Sequence, residues 1–168
     1  MTVNEKYAEE YANFYSVMEI FASPHDCYLA LRGLKTLPVR LRQHEASALK
    51  IAKWLETIDL VDRVIHPALA GHPEHHIWQR DFKGSSGLFA FTFKVDYSKE
   101  KLAAFINSLK FFGIGYSWGG FKSLITAGKY SRSADSQYYG KTVVRLNTGL
   151  EDAEDLIQDL AKGFDIIT

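Results

Sequence analysis

The chain has 168 residues, 46% of them hydrophobic, and its 20 basic residues balance 20 acidic ones. This length is enough for one domain with a sizeable core. A net charge of zero gives no electrostatic reason to expect nucleic acid or an anionic membrane as a partner. The single cysteine, Cys27, excludes an intramolecular disulfide, and no apolar run reaches the ~18 residues of a membrane span. Together with an acidic start unlike a signal peptide, these features predict a cytoplasmic protein.

The first third of the sequence is predicted to be helical. Asn4 is placed to cap a first helix, and Ser23-Pro24 opens a short second helix that is weakened at Gly33. Thr36 is then expected to cap a third helix, with Pro38 in its first turn, where proline is tolerated. The apolar residues of this third helix recur at helical spacing and form one core-facing stripe. They are Ala48, Ile51, Ala52, Leu55 and Ile58.

Strand patterns begin after this helix. Residues 61–65 form a short strand candidate, and residues 67–86 are interpreted as a loop because they are rich in Gly, Pro and His. A second strand starts at Gly87, where aromatic and apolar residues alternate with period two. The residues of its apolar face are Phe89, Phe91, Phe93 and Val95. Ser98 then caps a helix.

The last third of the sequence predicts two more strands and a final helix. Residues 111–115 and 142–146 are the strand candidates, separated by a Ser/Gly-rich loop. Thr148 and Glu151 have the spacing of a capping box for the last helix. The whole order predicts an α+β fold, in which a small, largely antiparallel sheet is covered by helices on one side.

Arg145 is the first candidate functional residue. It lies within the apolar strand, on the face opposite Val144 and Leu146. An arginine inside a strand needs a partner, because burying an unpaired charge is costly. One interpretation is a guanidinium fork that binds a substrate carboxylate. The other is an edge arginine paired to a nearby Asp or Glu, and spacing alone leaves both open.

Residues 113–120 form a second candidate, because four glycines surround Tyr116, Ser117 and Trp118. Glycines allow the backbone to approach a ligand closely, and a serine or a backbone N–H can hold an anion. The alternative is a tight turn with aromatic packing. The segment matches neither a dinucleotide-binding nor a P-loop pattern.

Four histidines fall within eleven residues, from His66 to His76, and raise the question of a metal site. The adjacent pair His75 and His76 are poor joint ligands, no cysteine is near, and no HExxH spacing occurs. We therefore predict a solvated loop and no metal. No nucleophile–base set or carboxylate pair stands out, so we predict no catalytic residue in this chain.

Four segments resemble the Cys/Met-metabolism family of pyridoxal-phosphate enzymes. Residues 23–37, SPHDCYLALRGLKTL, resemble the family segment SP-D-LRGLKTL. Residues 80–89, RDFKGSSGLF, and 116–124, YSWGGFKSL, are similar to its cystathionine β-lyase branch. Residues 145–152, RLNTGLED, resemble the family's last strand and helix. The resemblance extends through nearly the whole chain.

This resemblance implies the C-terminal small domain of a fold type I (aspartate-aminotransferase-like) enzyme. It implies that Arg145 binds the α-carboxylate of the substrate, that Ser117 helps to hold it, and that Trp118 lines the site. Tyr116 is a further candidate for the same wall. For the complete enzyme it implies carbon–sulfur lyase activity on cystathionine, in transsulfuration and methionine biosynthesis, with pyridoxal phosphate as cofactor.

The sequence departs from the family in one respect. Family members are more than twice as long, and their Schiff-base lysine lies in a Ser-x-x-Lys-Tyr-x-x-Gly-His segment that does not occur here. We therefore expect no pyridoxal phosphate bound covalently to this chain and no thiol elimination by the chain alone. Residues 1–22 are expected to be an N-terminal helix bordering the missing cofactor domain, and residues 23–168 the small domain.

Two hypotheses about the chain follow. It is half of a split lyase, completed by a separate polypeptide with the cofactor domain, or it is a remnant or repurposed domain that acts only by self-association or binding. In both cases, helix faces shaped for an absent domain would expose apolar surface. We therefore expect self-association, as a dimer.

Overall fold

The computed structural model describes residues 4–19, 21–130 and 140–168. The chain divides into two compact units, Met1–Pro38 and Val39–Thr168, and each is described by itself. The boundary predicted between residues 22 and 23 stays a prediction. Residues 1–3 and 20 of the predicted N-terminal segment lie outside the described residues.

The first unit is built from helices, and two of its helical segments begin at side-chain caps. The Asn4 side chain accepts a hydrogen bond from the backbone N–H of Lys6 at 3.0 Å and starts a 3₁₀ turn, Glu5–Tyr7. Helix α1, Ala8–Val17, follows, and no residue of the turn or of α1 is buried. Ser23 then caps helix α2, because its hydroxyl accepts from the N–H of Asp26 at 3.1 Å.

Helix α2 is a single helix, Pro24–Leu55, so the predicted break between a second and a third helix is wrong. Thr36 does not cap a helix, because its hydroxyl donates to the carbonyl of Gly33 at 3.3 Å, as threonines inside helices do. Pro38 lies inside the helix. Good helix formers lie within one turn on both sides, such as Lys35 and Arg40, so the one N–H that proline lacks does not end the helix.

The second unit contains a five-stranded sheet with the order β1-β2-β5-β4-β3. The strands are β1 Val61–Ile65, β2 Leu88–Phe93, β3 Gly113–Ile114, β4 Leu124–Lys129 and β5 Thr142–Asn147. Every pairing is antiparallel except the one between β3 and β4. The predicted α+β fold is therefore confirmed, and β5 lies at the centre of the sheet.

Three short helices complete this unit: α3 His75–Asp81, α4 Lys99–Ser108 and α5 Ala153–Ile167. Ser98 caps α4 as predicted, because its hydroxyl accepts from the N–H of Lys101 at 3.3 Å. Sequence reasoning missed both α3 and β4. Both lie in segments assigned to loops because of their Gly, Pro, Ser or His content, and the packing of the unit overrides that composition.

The core lies on one face of the sheet, under α4, α5 and the second half of α2. The rings of Phe91 and Phe164 meet edge to face at 6.1 Å, and Phe105 stacks on Phe164 at 5.3 Å. From β5, Val144 and Leu146 point into this core and are fully buried. Val95 was expected on the same apolar face, but it lies beyond the end of β2 and is exposed.

The start of α5 corrects a further prediction. Its cap is Asp152, whose carboxylate accepts from the N–H of Glu154 at 2.7 Å, so Thr148 and Glu151 do not form the predicted capping box. Thr148 is instead fully buried, and its carbonyl accepts a hydrogen bond from Nδ1 of His44 at 2.7 Å. Thr148 and Gly149 are therefore part of the packed interior, whereas Leu150 and the capping residue Asp152 are exposed.

Candidate functional site

Arg145 lies in the middle of the sheet, on the face away from the core. It lies between Ala90 of β2 and Thr126 of β4 in the strand register. Because side chains alternate along a strand, burial of Val144 and Leu146 turns Arg145 to the other face. The alternative interpretation was an arginine on an edge strand, but Arg145 lies on β5, the central strand of the sheet.

The guanidinium of Arg145 is partly used by the neighbouring loop. Its Nη2 donates to the carbonyl of Tyr116 at 2.6 Å and approaches that of Gly115 at 3.4 Å. Its Cζ lies 5.8 Å from the centre of the Tyr116 ring, within the range of a cation–π contact. Within the described residues no carboxylate forms an ion pair with Arg145.

The Nε atom of Arg145 is the unusual feature. It is buried and has no hydrogen-bond partner among the described residues. A buried N–H of a cation that lacks an acceptor costs free energy. The structure therefore presents a charged group with unused hydrogen-bonding capacity inside the protein, and the rest of the guanidinium is partly exposed.

The loop that follows β3 carries the other three candidates. Tyr116 and Trp118 are exposed, at 76% and 66%, and Ser117 is exposed as well. Tyr116 contacts Arg145 with both its carbonyl and its ring, whereas no hydrogen bond within the described residues joins Ser117 or Trp118 to Arg145. Gly119 has a φ of +75°, a conformation that favours glycine and turns the loop.

Asn147 is a residue of this site that the sequence analysis missed. It lies two positions after Arg145 on β5 and is 1% exposed. Its side chain bonds to the same loop, since Oδ1 accepts from the N–H of Gly119 at 2.9 Å. The available signal was a polar residue at period two from Arg145 in an otherwise apolar strand.

The described residues do not suit pyridoxal phosphate by themselves. A lysine that holds this cofactor covalently must reach it from a sheltered site with a depressed pKa or a nearby base. All lysines of the chain lie in the described residues, and every one of them has an exposed side chain. The guanidinium of Arg145 is chemically suited to a carboxylate, whereas no lysine of the chain is suited to the aldehyde of pyridoxal phosphate.

The four histidines between residues 66 and 76 raised the question of a metal site. No group of three or more His, Cys, Asp or Glu residues in the described part of the chain could hold a metal ion. The expectation of a solvated loop is nevertheless wrong for His66, which is 2% exposed. Its Nδ1 accepts from the N–H of Ala68 at 3.2 Å, and its Nε2 is buried without a partner among the described residues. His75 and His76 lie in helix α3.

Comparison with solved structures shows the class of protein to which this fold belongs. Cystathionine gamma synthase from Xanthomonas oryzae, in complex with aminoacrylate and cysteine, matches 98% of this chain and 44% of its own, with a TM-score of 0.79 and 30% identity. The fold is thus that of fold type I pyridoxal-phosphate enzymes, as predicted. The model of the family "Cys/Met metabolism PLP-dependent enzyme" matches residues 1–165. The chain belongs to this family.

Curated relatives agree with this assignment. Cystathionine beta-lyase of Escherichia coli is 48% identical over 82% of this chain and 36% of its own length. L-alanine/L-glutamate racemase of Wolbachia pipientis is 44% identical over 90% of this chain and 38% of its own. The chain therefore spans about two fifths of the length of the curated relatives it matches. No helix in the described ranges is both long and apolar enough to cross a membrane.

Burial lowers the pKa of His66 below its ordinary value, and this predicts a pH dependence of stability. In the unfolded chain His66 binds a proton at about pH 6.5, whereas in the folded chain it binds one only at a lower pH. The free energy of unfolding should therefore fall as pH is lowered through about 6.5. Urea unfolding of His66→Gln across this range should show a smaller slope. The exposed His76→Gln is the control, and an unchanged slope in His66→Gln would contradict the prediction.

Proposed function

We propose that this chain is the substrate-carboxylate-binding, C-terminal domain of a pyridoxal-phosphate-dependent carbon–sulfur lyase of the cystathionine β-lyase type. The observation that supports this most is Arg145, with a buried Nε that has no acceptor among the described residues. Arginine presents a planar fork that matches a carboxylate in two parallel hydrogen bonds. An α-amino-acid carboxylate is the group that this donor fits.

The loop beside Arg145 forms the rest of the proposed site. Ser117 supplies a hydroxyl and a backbone N–H for the carboxylate, and Trp118 and Tyr116 provide the wall of the pocket. The names of two relatives support the amino-acid class of substrate, since one is a cystathionine beta-lyase and the other an alanine and glutamate racemase. Their named substrates share an α-carboxylate, so the role of Arg145 does not depend on which reaction the complete enzyme performs.

The covalent chemistry is proposed to need residues outside this sequence. Pyridoxal phosphate, when bound, supplies the electron sink that stabilises a substrate carbanion. Every lysine here is exposed, so we propose that the chain recognises the substrate and holds no cofactor covalently. The partner proposed for it is a polypeptide that carries the cofactor domain. The alternative is a remnant that acts by self-association or binding alone.

The first test concerns carboxylate recognition. Arg145→Lys keeps the charge but removes the fork and Nε, so binding of L-cystathionine should weaken about tenfold, as expected for loss of one charge-assisted hydrogen bond. Chemical-shift titration measures this. Arg80→Lys, at an exposed arginine, is the matched control and should bind as the unaltered chain does. Equal affinity of the Arg145 variant would refute the proposed role.

The second test concerns the absent chemistry. The 168-residue chain, incubated with L-cystathionine and pyridoxal phosphate, should release pyruvate no faster than free cofactor does. The physical reason is that no sheltered lysine exists to hold the cofactor or move the α-proton. Coexpression with a polypeptide that carries the lysine segment should restore both cofactor absorbance and pyruvate release. Turnover by the chain alone would overturn the proposal.

The third test concerns self-association. Large apolar side chains are exposed along the first unit, and three of them, Tyr28, Leu31 and Leu34, follow at three-residue spacing on α2. We expect a dimer in sedimentation velocity. The double variant Leu31→Gln/Leu34→Gln should shift it towards monomer, whereas Leu150→Gln, at an exposed leucine of the second unit, should not. A monomer at every concentration of the unaltered chain would contradict this expectation.

A further inference from the structure

Asn147 is buried at the end of the central strand β5 and bonds to both sides of a loop turn. Its Oδ1 accepts from the N–H of Gly119 at 2.9 Å, and its Nδ2 donates to the carbonyl of Lys122 at 3.2 Å. An amide presents one acceptor and one donor group. The loop offers one N–H and one carbonyl, so both groups are satisfied in a single orientation of the side chain.

The arrangement pairs Asn147 with Arg145. The two residues are two apart on β5 and share the face of the sheet that points away from the core. Arg145 bonds to the carbonyl of Tyr116, at the start of the loop, and Asn147 bonds further along it. Residues 117 and 118 lie between these two attachment points.

A separate set of bonds holds the far end of the loop. The carboxylate of Glu151 accepts from the N–H and the hydroxyl of Ser123, at 2.9 and 2.8 Å. The same hydroxyl accepts from the N–H of Gly149 at 2.8 Å. A Cβ at position 149 would lie 2.2 Å from the carbonyl of Phe121, so the close approach requires glycine. The end of the loop is therefore fixed without Asn147.

We propose that Asn147 is a positioning residue for substrate recognition. It holds residues 117–119 over the guanidinium of Arg145, so that Ser117 and Trp118 meet the carboxylate in a fixed geometry. This inference rests on the proposed function of Arg145. Its energetic basis is that an ordered loop need not lose conformational entropy when the ligand binds.

The test compares variants of the 168-residue chain that differ in this contact. Asn147→Leu removes both bonds at similar volume, and Asn147→Asp keeps the acceptor for Gly119 while placing a second oxygen opposite the carbonyl of Lys122. Thr92→Val is the control, because it removes a buried hydroxyl, 1% exposed, elsewhere in the same sheet. NMR measures the affinity for L-cystathionine and the amide exchange rates of Gly119 and Ser123, and the melting temperature of each variant is measured as well.

Asn147→Leu should weaken binding about tenfold, equivalent to about 1.4 kcal/mol, and should speed exchange at Gly119 while Ser123 stays protected. Asn147→Asp should retain part of the protection at Gly119. Thr92→Val should change neither the affinity nor the exchange rates, even where it lowers the melting temperature. A purely structural role predicts instead that affinity follows melting temperature across all variants.

The outcomes distinguish failure of the positioning role of Asn147 from failure of the proposed function of Arg145. If Arg145→Lys weakens binding but Asn147→Leu does not, the positioning role is overturned and the carboxylate site stands. If neither variant alters the affinity, or the unaltered chain does not bind, the proposed function fails. The exchange rate of Gly119 tests the contact in every case, and unchanged protection in Asn147→Leu overturns the inference.

Discussion

The pairing of strand β5 between β2 and β4 is the constraint on which the rest of the second unit depends. Pairing on both sides fixes the strand's register, and a slip of one residue would exchange its two faces. The observed register sends Val144 and Leu146 into the aromatic core. Arg145 and Asn147 consequently point to the opposite face, so one alternation along the strand places both the core residues and the residues of the candidate site.

This constraint also explains how a small domain can hold a charged group in place. The backbone of β5 is held by two antiparallel ladders, and the core below it is packed with phenylalanine rings from β2, α4 and α5. Such a strand gives the backbone of Arg145 a rigid position, which is the kind of element that holds a candidate site in place. The loop above it is held by side chains of the same strand. Strand β5 therefore both holds the sheet together and carries Arg145 and Asn147.

Family membership and the catalytic activity of this chain are separate questions. The chain belongs to a family of pyridoxal-phosphate enzymes and covers about two fifths of its curated relatives. Arg145, the residue that we propose to bind a carboxylate, lies within it, and its lysines are all exposed. The chain's membership of the family therefore does not depend on whether this chain by itself transforms a substrate.

Sequence reasoning succeeded where a local period carries the information. The alternation around Phe91 and around Arg145 predicted both faces of the sheet, because strand side chains repeat every two residues. It failed for Thr36 and Pro38, because local breaker signals were outweighed by strong helix formers on either side. It missed the role of Asn147 because its partner Gly119 lies 28 residues away, and no local pattern reveals which loop a buried amide will meet.

An experimental structure of the 168-residue chain with L-cystathionine bound would show where the carboxylate of the amino acid lies. We expect a carboxylate oxygen at about 2.7–2.9 Å from a guanidinium nitrogen of Arg145, with Ser117 and Trp118 beside it. A bound amino acid whose carboxylate makes no contact with Arg145 would disprove the proposed role of this residue.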